Sequence, residues 1–101
     1  MTDLQRGGLL RIRLNQRDIG FLTARLTGEP DRQAGWGLRV ESPDDVDEFR
    51  DGLRQGSIMS VRMVLRTGDF YRGQACVSSI DESAEAPTLI VLAGVGPLVS
   101  D

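Results

Sequence analysis

Apolar and polar residues alternate along much of this chain, which is the period of strands that bury one face and expose the other to water. In Leu9–Leu14 the even-numbered residues are apolar, whereas Arg11 and Arg13 point to the opposite side. Asn and Asp in the polar break at residues 15–18 suit a turn, so a second strand is predicted to return over residues 19–27. The first predicted element is therefore a hairpin.

The predicted second strand carries apolar side chains on both faces. Phe21 shares a face with Arg25, opposite the face assigned to the core, and Gly20 is placed where a bulge resets the alternation. After a loop of charges and turn formers, residues 36–40 predict a short third strand. Its tryptophan, Trp36, is interpreted as an anchor in the core or at its rim.

Residues 42–56 carry the signals of a helix that packs on a sheet. Ser42 is placed as the N-cap, and Gly56 suits the left-handed position after the last turn. The apolar stripe, at i, i+3 and i+7, consists of Val46, Phe49 and Leu53. Gly52, inside the helix, costs about 1 kcal/mol relative to alanine. A single helical lid is therefore predicted.

The C-terminal half predicts a second set of strands. Residues 58–66 alternate cleanly, and Gly68 supplies the positive φ of a tight turn before a strand over residues 70–80. An acidic loop is predicted over residues 81–87. The apolar run at residues 89–93 is continuous, which is typical of a strand that is covered on both faces.

These elements predict a mainly β fold with one α-helix, in the order βββαβββ. Six strands with short connections and one flanking helix indicate a small β-barrel or a sandwich of two sheets. A chain of 101 residues suits one domain over residues 1–101, in which residues 1–8 are expected to form a loose arm.

The residue types in the chain exclude much catalytic and metal chemistry. All twelve basic residues are arginine, so histidine bases, histidine ligands and Schiff-base lysines are absent. Cys76 has no basic neighbour in its strand and is interpreted as a small core residue. The acids of the predicted helix spread along it instead of converging on one ion. We expect a protein with no catalytic residues, no metal and no cofactor.

Charge and cysteine content bear on partners and location. The net charge of −3 argues against a general nucleic-acid binder. A single cysteine allows no internal disulfide, which favours a reducing compartment. No apolar run has the roughly 18 residues of a spanning helix, and the first residues lack the apolar core of a signal peptide. We expect a cytoplasmic protein with no membrane partner.

More apolar side chains point away from the predicted core than one small chain can cover. Contiguous exposed apolar surface usually marks an interface, and long uncovered strands invite pairing. We therefore predict self-assembly into a ring or a two-fold dimer. The predicted subunit interface consists of Phe21, Ile58, Val64, Phe70, Ile90 and Leu92.

Arginines on the outer face of the predicted first hairpin form a charged contact face, which consists of Arg11, Arg13 and Arg25. One hypothesis is that they pair with acidic surface, either within the molecule or on a neighbouring subunit. The alternative is a small β-barrel binding module that uses this face for a nucleic acid or a peptide. Nucleic-acid binding would then weaken with salt and with the loss of each arginine.

The C-terminal pattern has further features in common with one protein family. A strand with a mid-strand glycine and a Ser-Ser end leads through a small-residue loop into a last strand that finishes with Gly94, Gly96 and Leu98. In this pattern, residues 70–98 resemble the closing strands of phage tail tube proteins. The resemblance implies a barrel with a flanking helix that stacks as hexameric rings around a lumen, without catalytic residues. It also implies a virion location and other tail or capsid proteins as partners.

Overall fold

The computed structural model describes residues 8–28, 35–83 and 86–100. The strands are β1 (Leu9–Leu14), β2 (Arg17–Ile19), β3 (Thr23–Thr27), β4 (Gly37–Glu41), β5 (Ile58–Leu65), β6 (Phe70–Ser83) and β7 (Ala86–Ser100). One helix, α1 (Val46–Gln55), lies between β4 and β5. Within these ranges, the predicted mainly β fold with one helix is confirmed.

All seven strands belong to one antiparallel sheet, in the order β2–β1–β5–β6–β7–β4–β3. The sheet curls into a half-barrel, and an isolated antiparallel bridge between Gly8 and Arg25 joins the start of β1 to β3. The helix flanks this barrel and packs against β6. Of the two predicted architectures, this single curled sheet is consistent with the small barrel and differs from a sandwich of two sheets. The predicted arm at residues 1–8 lies outside the described residues except for Gly8.

The predicted second strand is in fact two strands. Asn15 and Gln16 take positive φ values of 49° and 70°, which make a tight hairpin turn into the three residues of β2. The chain leaves this hairpin at Gly20, where a Cβ would lie 1.9 Å from a carboxylate oxygen of Asp44. β3 then pairs with β4 instead of β1. The order of elements is therefore ββββαβββ, and the predicted bulge at Gly20 is a corner.

The helix begins later than predicted, because the residues before it are tied to the sheet. The Ser42 N–H donates to the carbonyl oxygen of Thr88 at 2.8 Å. Ser42 has a φ of 51°, and Asp45 occupies the N-cap position instead. The predicted end is confirmed, since Gly56 follows the last turn with a left-handed φ of 65°.

One side chain anchors α1 to the barrel. Phe49 is fully buried, and Val46 is half-buried against the same core. Leu53, which was predicted to complete the stripe, is 42% exposed, so that part of the prediction is wrong. Gly52 is the buried residue of the last turn, and it faces Val77 of β6.

Gly52→Ala is expected to raise the free energy of unfolding by about 0.5–1 kcal/mol, because alanine loses less backbone entropy in a helix. The added Cβ would lie 3.4 Å from Val77 Cγ2 and 3.6 Å from Met59 Sδ, which are ordinary contacts. Urea denaturation measures the difference. Gly56→Ala is the matched control, since its left-handed φ of 65° makes the same change destabilising. A loss of stability in Gly52→Ala would contradict the prediction.

The core lies between the inner face of the sheet and α1. The predicted inward face of β5 is confirmed, and its buried residues are Met59, Val61, Met63 and Leu65. In β1 the register shifts between Leu9 and Arg11, so Leu9 is buried whereas Leu10 is 62% exposed. The predicted alternation of β1 therefore holds only after this bulge, where Ile12 and Leu14 are buried.

The two C-terminal strands form a hairpin that is longer than predicted. Most of residues 81–87, predicted as a loop, belongs to β6 and β7, and β7 continues to Ser100. Ile90 and Leu92 point into the core, with relative exposures of 0% and 1%. In the described residues, β7 pairs with both β4 and β6 as far as Ala93 and with β6 alone beyond it.

Trp36 packs against the second half of β7, and its interpretation as a core or rim anchor is confirmed. The side chain is 3% exposed, and its Nε1–H donates to the carbonyl oxygen of Gly96 at 2.9 Å. The Gly94 N–H donates to the carbonyl oxygen of Trp36 at 2.9 Å. A Cβ at Gly94 would lie 2.2 Å from Cε2 of the indole ring. The ring fits in this position because residue 94 is glycine.

Candidate functional site

Three arginines lie side by side on the outer face of the sheet. Arg13 of β1 is opposite Arg62 of β5, and Arg62 is opposite Arg72 of β6. All three residues are exposed. Directly opposite residues on neighbouring strands have Cβ atoms about 4.5–5.5 Å apart, so these charges are close neighbours. We call Arg13, Arg62 and Arg72 the arginine row.

The centre of the arginine row lacks a counter-charge of its own. Arg13 Nε lies 3.1 Å from Asp18 Oδ1, and Arg72 also has an interaction partner, so both ends of the row are engaged. Arg62 makes no hydrogen bond or ion pair with any residue that the structure describes. Like charges directly opposite one another destabilise a sheet. Arg62 therefore lies between two arginine neighbours with no acidic partner of its own among the described residues.

The next row of side chains along the strands adds an aromatic and apolar wall. Arg11, Val64 and Phe70 are neighbours across β1, β5 and β6. Phe70 is 54% exposed, and Val64 is half-buried. Together with Tyr71 and two arginines of the row, these residues line a shallow pocket of about 290 Å³. The pocket joins positive charge to an exposed aromatic ring.

Arg25 lies apart from the other two arginines of the predicted contact face. It is on β3, opposite Arg39, and lines a separate open pocket of about 930 Å³ with Arg39 and Arg66. The split of the predicted second strand explains this position, because β3 and β2 lie at opposite ends of the strand order. The structure therefore divides the predicted face. Arg13 belongs to the arginine row, and Arg11 lines the same pocket as Arg13 and Arg62, whereas Arg25 lies elsewhere.

A second feature of the outer face is apolar. Ile58, Cys76 and Ala93 are neighbours across β5, β6 and β7, and Ile58 is 57% exposed. Val91 and Val95 lie two residues on either side of Ala93, on the same face of β7, and both are half-buried. We call Ile58, Cys76, Val91, Ala93 and Val95 the outer apolar patch.

The predicted interface residues differ in exposure. Ile58 and Phe70 are more than half exposed, and Val64 is half-buried opposite Phe70. Phe21, in the connection from β2 to β3, is half-buried and packs against the core. Cys76 is half-buried on the outer face, so its interpretation as a core residue is wrong.

The assignment of Ile90 and Leu92 to an interface is wrong, because both side chains are in the core. The outward residues of β7 are their odd-numbered neighbours, such as Val91. A continuous apolar run contains no alternation from which to choose the buried face. The cross-strand register supplies the missing information, since it sets Val91 opposite exposed Arg39.

Arg62 and Arg72 are missing from the predicted contact face, although the sequence holds a signal for them. β5 and β6 are joined by a tight turn, and the register of that hairpin is centred on Thr67. Residues equally far from Thr67 are therefore opposite each other, which pairs Arg62 with Arg72. Counting outward from Thr67 in the sequence therefore identifies the pair formed by Arg62 and Arg72.

Several acids on and near α1 are paired with arginines. Arg17 Nη1 lies 3.6 Å from Asp45 Oδ2 and 3.5 Å from Glu48 Oε2. The hydrogen bond and the charge of Glu82 raise the pKa of Arg50 above its ordinary value. Within the described ranges, no cluster of three or more acidic or cysteine side chains is arranged to hold a metal ion.

Comparison of the chain with protein-family models, with curated proteins and with solved structures finds no match. No helix in the described parts of the chain is long and apolar enough to cross a membrane. The arginine row and the outer apolar patch, which share one face of the sheet, are the features from which a function is proposed below.

Proposed function

We propose that this chain is a non-catalytic structural protein that assembles with copies of itself through the outer apolar patch. The observation that carries the proposal is a strip of apolar side chains on the solvent side of three adjacent strands, with Ile58 57% exposed at one end. Covering apolar surface removes it from water, at about 25 cal/mol per Å². A second protein surface on the patch would therefore stabilise the complex.

The charges beside the patch favour a copy of the same chain as the partner. Val91 is opposite Arg39 of β4, and in the next row Leu89 lies between Asp81 and Glu41. One border of the patch thus carries both signs of charge. A copy related by a two-fold axis can set Arg39 of one subunit against an acid of the other, so the surface is self-complementary.

The resemblance of residues 70–98 to the closing strands of phage tail tube proteins gives the proposal a more specific form. These residues form β6 and most of β7, the strands that carry all of the patch except Ile58. A ring in a phage tail or capsid is the assembly that the resemblance implies, whereas the charges beside the patch favour a two-fold dimer. The number of chains in the native particle distinguishes the two forms.

Ile58→Asp is expected to weaken self-association at least about tenfold, because the second subunit would remove water from the new carboxylate. Sedimentation at micromolar concentration should give a particle of two or more chains for the unchanged protein and a smaller particle for the variant. Leu22→Asp is the control, since Leu22 is 68% exposed in the connection from β2 to β3. A single chain in the unchanged protein, or equal loss in both variants, would contradict the proposal.

A further inference from the structure

We propose that the pocket beside the arginine row binds the phosphate of a nucleotide, with the planar base packed on Phe70. On β5 and β6 one row, Ser60 and Gln74, separates the site from the outer apolar patch, and of the patch residues only Val95, which pairs with Gln74, lies in that row. The inference therefore does not depend on self-association, and a protein that fails to assemble can still bind the ligand.

The first support is the guanidinium group at the centre of the arginine row, which is unpaired within the described ranges. Three consecutive strands place arginines directly opposite one another, and the central one, Arg62, has no hydrogen-bonded or ion-paired partner among the described residues. Like charges directly opposite one another are unfavourable, and Arg62 has such a neighbour on each side. An anion over Arg62 would turn repulsion between neighbours into shared attraction, which makes the row suited to a ligand with concentrated negative charge.

The second support is the chemistry of the guanidinium group. Arginine presents planar pairs of N–H donors that match two oxygens of a phosphate. Arg11, Arg13 and Arg62 line the same pocket, which allows more than one of them to reach the same phosphate.

The third support is the aromatic ring next to the arginines, which favours a nucleotide over an acidic peptide. Phe70 is 54% exposed and lines the pocket with Val64 and Tyr71. A planar base can stack on an exposed aromatic side chain, and such contacts contribute substantially to the binding of single nucleotides in a strand. Acidic side chains have no ring to place there. The pocket of about 290 Å³ is at the small end of ligand sites, which suits a compact ligand.

The same chemistry is available from two sources, a free nucleotide and one nucleotide of a single strand. Inorganic phosphate, ADP and an oligothymidylate are therefore titrated separately into the ¹⁵N-labelled protein at low salt. We expect ADP to shift amide signals of β1, β5 and β6 around Arg62 and Phe70, and phosphate to shift only those near Arg62. An oligothymidylate that binds more than about tenfold more tightly than ADP assigns the site to a strand. A smaller gain assigns it to the free nucleotide.

Arg62→Gln is expected to weaken ADP binding at least about tenfold, since charge-assisted bonds to phosphate are lost. Phe70→Leu should weaken ADP several-fold and leave phosphate unchanged, which isolates the stacking contact. The matched control is Arg54→Gln, which removes the same charge from the last turn of α1. Because Arg62→Gln also removes repulsion within the row, its melting temperature should be equal or higher, which separates lost binding from unfolding.

Three outcomes would overturn the inference. One is the absence of signal changes in β1, β5 and β6 with all of the probes. Another is equal weakening by Arg62→Gln and Arg54→Gln, which would indicate attraction by the overall charge of the protein instead of a site. The third is a glutamate-rich peptide that binds as tightly as ADP and is insensitive to Phe70→Leu, which would assign the row to an acidic protein.

Discussion

Replacing Phe49 with alanine is expected to lower the free energy of unfolding by about 4 kcal/mol, because it removes a fully buried aromatic side chain and leaves a cavity. No other apolar side chain of α1 is fully buried: Val46 is half-buried and Leu53 is 42% exposed. The helix would therefore lose its main attachment to the barrel. Urea denaturation followed by circular dichroism measures the change.

Leu53→Ala is the control for Phe49→Ala, since it shortens an apolar side chain of the same helix that is already 42% exposed. Its cost should stay below about 1 kcal/mol. Similar losses in the two variants would show that Phe49 is not the anchor that its burial indicates. A loss of only about 1 kcal/mol in Phe49→Ala would contradict the prediction directly.

Gly94→Ala is expected to lower the free energy of unfolding by about 2–3 kcal/mol, although it adds a single methyl group. The new Cβ would lie 2.2 Å from Cε2 and 2.4 Å from Nε1 of Trp36, so the rigid indole ring must move. Movement of the ring would break its hydrogen bond to the carbonyl oxygen of Gly96. Denaturation monitored by the fluorescence of Trp36 reports both the stability and the displacement of the ring.

A double-mutant cycle tests the cause of the Gly94→Ala effect. In a Trp36→Leu background the indole ring is absent, so Gly94→Ala should cost less than about 1 kcal/mol. The same cost in both backgrounds would place the strain in the backbone of β7 instead of in the contact with Trp36. Gly52→Ala makes the same chemical change where the nearest atom is 3.4 Å away, and its expected effect has the opposite sign.

The strands with one solvent-exposed face and one buried face were predictable from the sequence. β5 alternates from Ile58 to Leu65 without interruption, and its odd-numbered residues are buried as expected. The turn before β6 contains Gly68 with a φ of 93°, which is the conformation for which glycine was invoked. Local pattern and local turn chemistry agree in this hairpin, so the prediction needed no information from the rest of the chain.

The errors fall where a contact from a distant segment overrides the local pattern. Residues 19–27 look like one strand, but the close approach of Asp44 to Gly20 fixes a corner between β2 and β3. Ser42 is a good N-cap by type, yet its N–H bonds to Thr88 of β7. Neither contact can be read from neighbouring residues, because each joins segments more than twenty positions apart.

The arrangement of the candidate site also depends on pairing between distant segments. Arg11 and Arg13 were recognisable as an outward pair, but the row they join depends on the pairing of β1 with β5, far along the chain. The assignment of Ile90 and Leu92 to the interface was wrong, because an unbroken apolar run does not show which face of the strand is buried. The continuous apolar run placed apolar side chains on both faces of β7, and only the register shows which of them point outward.

The order of the strands in the sheet has a consequence for how the protein is made. The two N-terminal hairpins, β1–β2 and β3–β4, occupy opposite edges, and β5, β6 and β7 fill the space between them. β4 can pair with β3 as soon as both are made, but the ribosome must synthesise β7 before β4 can pair with its second neighbour. Topologies of this kind fold slowly, because distant segments must meet before their contacts give any stability. During that delay, nascent chains on the same messenger RNA expose complementary strand edges to one another, so synthesis is the stage at which misassembly is most favoured.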